Sequence, residues 1–192
     1  MGSTFVDEKK SAIVVFDILS SELMKSTFSE DCEVIIISPW VKDYPIPSTW
    51  PNFSSNFYAI KDMQKISDIL KKLRQNKVRV TLCTKSEKRL RDEKWGEWNI
   101  RAAVEFHERI TEKDGATVCW ENRDEQHAKY VVTSENVFIT SANATPKGTA
   151  GVQGNAGSLN SKRDSKDFYD ETRKWCFSWL KKTENPDDYF SK

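Results

Sequence analysis

The chain has few of the residues that announce a specialised chemistry on their own. Its four cysteines (Cys32, Cys83, Cys119 and Cys176) stand far apart with no Cys-x-x-Cys pair, which excludes the usual zinc-finger spacings. Three of them sit in or beside apolar strand or helix patterns and read as buried free thiols of a reducing compartment. No apolar run is long enough to span a bilayer and no signal-peptide pattern is present, so a soluble, cytoplasmic chain without a membrane partner is expected. There is almost no net charge: 30 basic and 29 acidic residues leave +1, so attraction to a polyanion must come from local clusters. Histidine is scarce, with His107 and His127 alone, and no internal repeat is visible. A length of 192 residues suits one domain with a substantial core, spanning 1–192.

Against that background, one stretch concentrates chemistry. Gln126 to Thr133 and Val137 to Asn143 both read as short strands, with Ser134-Glu135-Asn136 as the turn between them. Residues two apart on a strand share a face, which aligns His127 with Lys129 and Ser141 with Asn143. An imidazole, an ammonium, a hydroxyl and a carboxamide then meet at one end of a sheet. The ammonium neutralises an anion, the amide and hydroxyl donate to its oxygens, and the imidazole attacks or moves a proton near neutral pH.

Elsewhere the pattern alternates helices and strands. Helices are predicted over 8–27, 62–76, 97–113 and 165–183, and strands over 33–38, 78–83 and 116–120. Strand, helix, strand in close succession predicts a crossover and a partly parallel sheet. The fold class expected is α/β: a mixed, largely parallel central sheet with helices on both faces. Asp62 is the expected cap of the second helix. Residues 44–57, rich in Pro and aromatics (Trp50, Phe53, Phe57), fit either a loop pinned over the core or a stacking wall for bases. Residues 84–95 carry Lys85, Lys88, Arg89, Arg91 and Lys94 interleaved with Glu87, Asp92 and Glu93. They fit either a solvated charged helix or a patch that tracks a phosphate backbone. His107, on an apolar helix stripe, reads as a core residue. Residues 145–163, Gly- and Ser-rich, are expected to form a long loop flanking the site, with Lys147, Lys162 and Arg163 available to phosphates.

The pair His127-Ala128-Lys129 and Thr140-Ser141-Ala142-Asn143 resembles the phospholipase D superfamily, whose pattern is His-x-Lys, four residues, Asp, then Gly-Ser-x-Asn. Thr145-Pro146-Lys147-Gly148 continues in the same style, Asn155 matches the Asn of a later Asn-x-Glu element, and Ser38-Pro39-Trp40 resembles the step closing the family's first core strand. Three positions depart. Thr140 replaces Gly, Ser134 stands at the Asp position with a turn one residue short, and Gly157 stands where the later Glu belongs. In the family a carboxylate near the His orients its ring, and Glu125, Asp124 and Glu135 are the candidates to replace it.

The resemblance implies a metal-independent, cofactor-free phosphodiesterase working through a phosphohistidine. His127, Lys129, Asn143 and Ser141 would be catalytic, and Asn155, Lys147, Trp40, Lys85 and Arg89 would touch substrate. That chemistry needs two histidines, one attacking phosphorus and one protonating the leaving oxygen. One motif per chain therefore implies a homodimer sharing a cleft. The expected partner is DNA or RNA. The alternatives are a degenerate member that binds nucleic acid or assembles with a partner such as a motor ATPase, and a phospholipid phosphodiesterase.

Overall fold

Val34-Ile35-Ile36-Ile37 is the spine of the molecule. Each of the four is 2% exposed or less, and they alternate between two cores. Val34 and Ile36 pack with one cluster, Ile35 and Ile37 with the other, as period-2 geometry requires of a strand covered on both faces. The computed structural model describes residues 3–6, 11–46, 63–94, 96–111, 119–122, 125, 127–141, 143–144 and 156–180.

In chain order the elements are β1 (Ser3–Val6), α1 (Ser11–Lys25), β2 (Glu33–Ile37), α2 (Ile66–Gln75), β3 (Arg79–Thr84), α3 (Glu87–Asp92), α4 (Glu97–Thr111), β4 (Cys119–Asn122), β5 (Tyr130–Thr133), β6 (Asn136–Thr140), β7 (Gly157–Ser161) and α5 (Lys166–Leu180). The strands form one sheet in the order β1-β7-β6-β5-β2-β3-β4. β2, β3 and β4 run parallel, joined by helical crossovers. The pairs β2–β5, β5–β6, β6–β7 and β7–β1 are antiparallel. The α/β class and the mixed sheet are as expected, but parallel pairing is confined to one half. In the other half β5, β6 and β7 pair in succession, each antiparallel to the one before.

Helices do cover both faces. Phe16, Leu19 and Leu23 of α1, Ile69, Leu70 and Leu73 of α2, and Phe106 and Ile110 of α4 fill one core. Tyr169, Cys176 and Leu180 of α5 fill the other, where the Tyr169 hydroxyl donates to the Thr133 carbonyl at 2.7 Å. Cys32, Cys83 and Cys176 are free thiols, the last two buried. α2 is capped by Asp68 reaching back to the Gln64 and Lys65 amides at 2.9 Å. Asp62 lies outside the described residues, as do Trp50, Phe53 and Phe57. Tyr44, at the head of that segment, is 2% exposed and meets Phe16 edge-on.

Two expectations are corrected. The loop predicted over 145–163 contains β7, whose sequence Gly-Ser-Leu-Asn-Ser has no strand periodicity. Backbone pairing with β6 on one side and β1 on the other holds it, and Leu159 is its contribution to the core. The strands expected over 126–133 and 137–143 are shorter, running over Tyr130–Thr133 and Asn136–Thr140, so His127, Lys129, Ser141 and Asn143 lie beyond the strand ends.

Candidate active site

β5 is the middle strand of the seven, and the His-x-Lys segment leads into it. The β5–β6 register pairs Tyr130 with Ile139. It continues one step further through Thr140 N–H donating to the Lys129 carbonyl at 3.1 Å. Alternation then sends Lys129, like Val131, to one face, and Tyr130 to the other. Lys129, Thr140 and Asn143 border one cavity, together with Ser38 at the end of β2, Tyr44, Ser11 at the start of α1 and a mostly apolar wall of Val15, Ile36, Ile66, Val131 and Phe138. Its volume of about 20 Å³ is that of roughly one water molecule.

The chain locks this corner with short-range polar contacts. Ser38 Oγ accepts from Ala144 N–H at 3.1 Å and donates to the Trp40 carbonyl at 2.8 Å, so β2 holds the backbone next to Asn143. Lys42 N–H donates to the Ala144 carbonyl at 2.9 Å from the other side. Ser38 is 1% exposed. Its role as a clamp was not foreseen from the sequence, although Ser-Pro-Trp directly after an apolar strand pointed to the place. Ser141 Oγ accepts from Ala156 N–H at 3.0 Å, and Ser141 N–H donates to the Ala156 carbonyl at 2.9 Å. The Ser141 side chain is therefore engaged in tying β6 to the approach of β7. Asn143 Oδ1 and the Tyr44 hydroxyl are buried with no hydrogen-bond partner among the described residues.

His127 is exposed. Lys129 is half-buried, and its Nζ donates to the His127 carbonyl at 2.8 Å. Burial, and next the neighbouring Lys85 ammonium, hold the Lys129 pKa below its ordinary value. Lys85 is itself matched by Glu93, at 2.6 and 2.8 Å. The Lys85 ammonium acts on Lys129 in the same direction as burial, a setting that favours a bound anion. Arg89 also pairs with Glu93, at 3.0 Å, and Arg91 with Glu87 and Glu97, both at 2.6 Å. Of the two readings of residues 84–95, the structure favours the solvated charged helix for the arginines and puts Lys85 beside the site. Trp40 is half-buried with its ring 4.4 Å from Lys42 Nζ. Lys147, Asn155 and Asp124 lie outside the described residues. His107 is half-buried on α4, where desolvation pushes its pKa down to about 4.

The departing positions separate. Ser134 is seven residues from His127 along extended chain, a distance of roughly 20 Å, at the opposite end of β5. There its Oγ donates to Glu22 at 2.9 Å and accepts from Lys25 Nζ at 2.8 Å, and Glu135 pairs with Lys25 at 2.6 Å. Ser134 and Glu135 therefore have no part in orienting the His127 ring. Gly157 is at the site end, paired with Thr140. A Cβ there would lie 2.5 and 2.8 Å from Phe138 ring carbons and 2.9 Å from the Ile139 carbonyl oxygen. The backbone at 157 thus leaves no room for the family's carboxylate. Glu125 is exposed.

Among the described residues no group of three or more His, Cys, Asp or Glu is placed to hold a metal, and no helix is long and apolar enough to cross a membrane. No protein-family model matches the sequence, and no curated protein matches it. Solved structures do. A phospholipase D family member, Nuc from Salmonella typhimurium, superposes with a TM-score of 0.58 at 13% identity, covering 99% of both chains. NucT from Helicobacter pylori superposes with a TM-score of 0.54 at 12% identity, covering 95% of this chain and 97% of its own. At such identities the likeness speaks to architecture, and on that ground the chain has the phospholipase D-like fold.

Proposed function

We propose that the protein is a phosphodiesterase of the nuclease kind, acting on DNA or RNA through a covalent phosphohistidine on His127. What supports this reading is the phospholipase D-like fold, with His127 exposed two residues before a half-buried Lys129 whose pKa a second lysine helps to lower. An imidazole nitrogen of His127 attacks phosphorus while Lys129 and Asn143 hold the non-bridging oxygens. The bond to the leaving oxygen breaks, and a second imidazole delivers its proton. Water then attacks the phosphohistidine, giving up a proton to that second imidazole and releasing the phosphate end. His107 is a poor source of the second imidazole: at a pKa of about 4 it holds no proton to give near pH 7. The second imidazole in this reading is His127 of another copy, across a twofold axis.

Cleavage of labelled DNA and RNA by the wild type and His127→Ala, in excess EDTA, tests the proposal. The wild type should cleave, the variant should lose at least about 10²-fold in rate, and acid quenching should trap phosphoprotein in the wild type only. Equal cleavage by both proteins overturns it. The closed space at Gly157 favours a second reading, a chain that has kept the phosphate site and lost turnover. Such a protein would shift nucleic acid in a gel with a steep salt dependence and do so unchanged in His127→Ala.

A further inference from the structure

We propose that the substrate strand is single-stranded at the site and that one of its unpaired bases stacks on Trp98, an inference that rests on the nuclease reading above. Trp98, near the start of α4, is 71% exposed, an unusual setting for the largest side chain. Its ring is nevertheless not loose. Lys42 Nζ sits 3.7 Å from its centroid and 4.4 Å from that of Trp40, while donating to Asn99 Oδ1 at 3.0 Å. Lys42 is only 5% exposed, so its cation is largely withdrawn from water, the setting in which a cation–π contact is strongest.

The support behind Lys42 is equally fixed. Its own amide bonds the Ala144 carbonyl, next to Asn143. Its neighbour Asp43 accepts from the Ser67 amide at 3.1 Å and hydroxyl at 2.9 Å, and pairs with Arg109 at 3.4 Å. A run of bonded groups thus leads from the Asn143 backbone to the Trp98 indole. The ammonium sits against the ring while most of the residue's surface stays exposed. A flat, rigid, solvent-facing π surface close to a phosphate-holding corner, over a cation that favours anionic ligands, matches a nucleobase on an approaching strand. A base inside a duplex is stacked on its neighbours already, so a base on Trp98 must be unpaired.

The test separates this from the nuclease reading. His127→Ala protein, which cannot turn over, is titrated by anisotropy with a labelled 12-nucleotide single strand and with a set carrying one abasic nucleotide moved along it. An abasic nucleotide at one position should weaken binding by about 5- to 150-fold, the range of one base–aromatic stack. Adding Trp98→Ala should weaken the intact strand equally and erase the positional penalty, and Trp98→Phe should restore most of it. A duplex of the same length should be insensitive to Trp98. If the intact strand binds but Trp98→Ala changes nothing, the stacking site is wrong and the nuclease reading stands. If no oligonucleotide binds at low salt, the nucleic-acid reading falls, and the stacking site with it. If Trp98→Ala instead splits a dimer in sedimentation, the ring belongs to a contact between copies and the proposal is overturned.

Discussion

Two lysines near opposite ends of β5 meet opposite electrostatic fates. Burial pulls the Lys25 ammonium down, but Glu135, through a hydrogen bond and its charge, and then Glu22 carry its pKa above the ordinary value. Burial also pulls Lys129 down, and there the next influence is a like charge, Lys85, in the same direction. The far end is a closed account of charges. Glu22, 2% exposed, accepts from the Glu33 amide at 2.9 Å, the Ser134 amide at 3.3 Å and the Ser134 hydroxyl at 2.9 Å, and Lys25 joins Ser134 to Glu135. At the site end, Lys129 donates to a backbone carbonyl, and among the described residues no carboxylate reaches it. One end is built to be stable on its own, and the other is left short of an anion.

The sharpest way to break that contrast is Lys129→Met. If the site end is held open for an anion, turnover should fall by about 10²–10³-fold, the usual loss on removing one transition-state donor. The melting temperature should stay level or rise, since a partly desolvated cation has been removed. Calorimetry and cleavage on one preparation check both, and a large drop in melting temperature would mean that the ammonium is structural. The opposite result is expected of Glu22→Ala. It strands three donors at a buried position and should cost about 2–4 kcal/mol of stability, read by urea denaturation. Cleavage per folded molecule should be unchanged.

What the sequence made legible follows the same division. Helices and strands with strong hydrophobic periodicity were readable to within a few residues, and so was the turn at Ser134-Glu135. The strands on either side of it, however, end at Tyr130 and Thr140, short of His127, Lys129, Ser141 and Asn143. β7 was not legible, because Ser158 and Asn160 contribute backbone pairing and carry no apolar pattern. The Lys42 cation between Trp40 and Trp98 joins residues 58 positions apart through α4, a proximity no local pattern encodes. Gly157 and Ser134 were both visible as departures from one motif, but their consequences could not be told apart. That required knowing that an extended strand carries residue 134 away from His127, whereas antiparallel pairing brings residue 157 back beside Thr140.

The smallest effect tests that separation most directly. Replacing Ser134 by Asp restores the motif's letter, and a purely sequence-based view expects gain or no change. In this structure the new carboxylate would face Glu22, whose oxygen now accepts from the Ser134 hydroxyl. Lys25, already bonded to both Ser134 and Glu135, would have to serve three carboxylates. Ser134→Asp should therefore cost about 1–2 kcal/mol by like-charge crowding and leave cleavage untouched. Combining it with Glu22→Gln removes the repulsion, so the double variant should be more stable than the sum of the two single effects by about 0.5 kcal/mol or more. Additive losses in that cycle would show that residues 22 and 134 do not share one network. A change in cleavage rate from Ser134→Asp alone would put residue 134 in the chemistry after all, and the two ends of β5 could no longer be treated as independent.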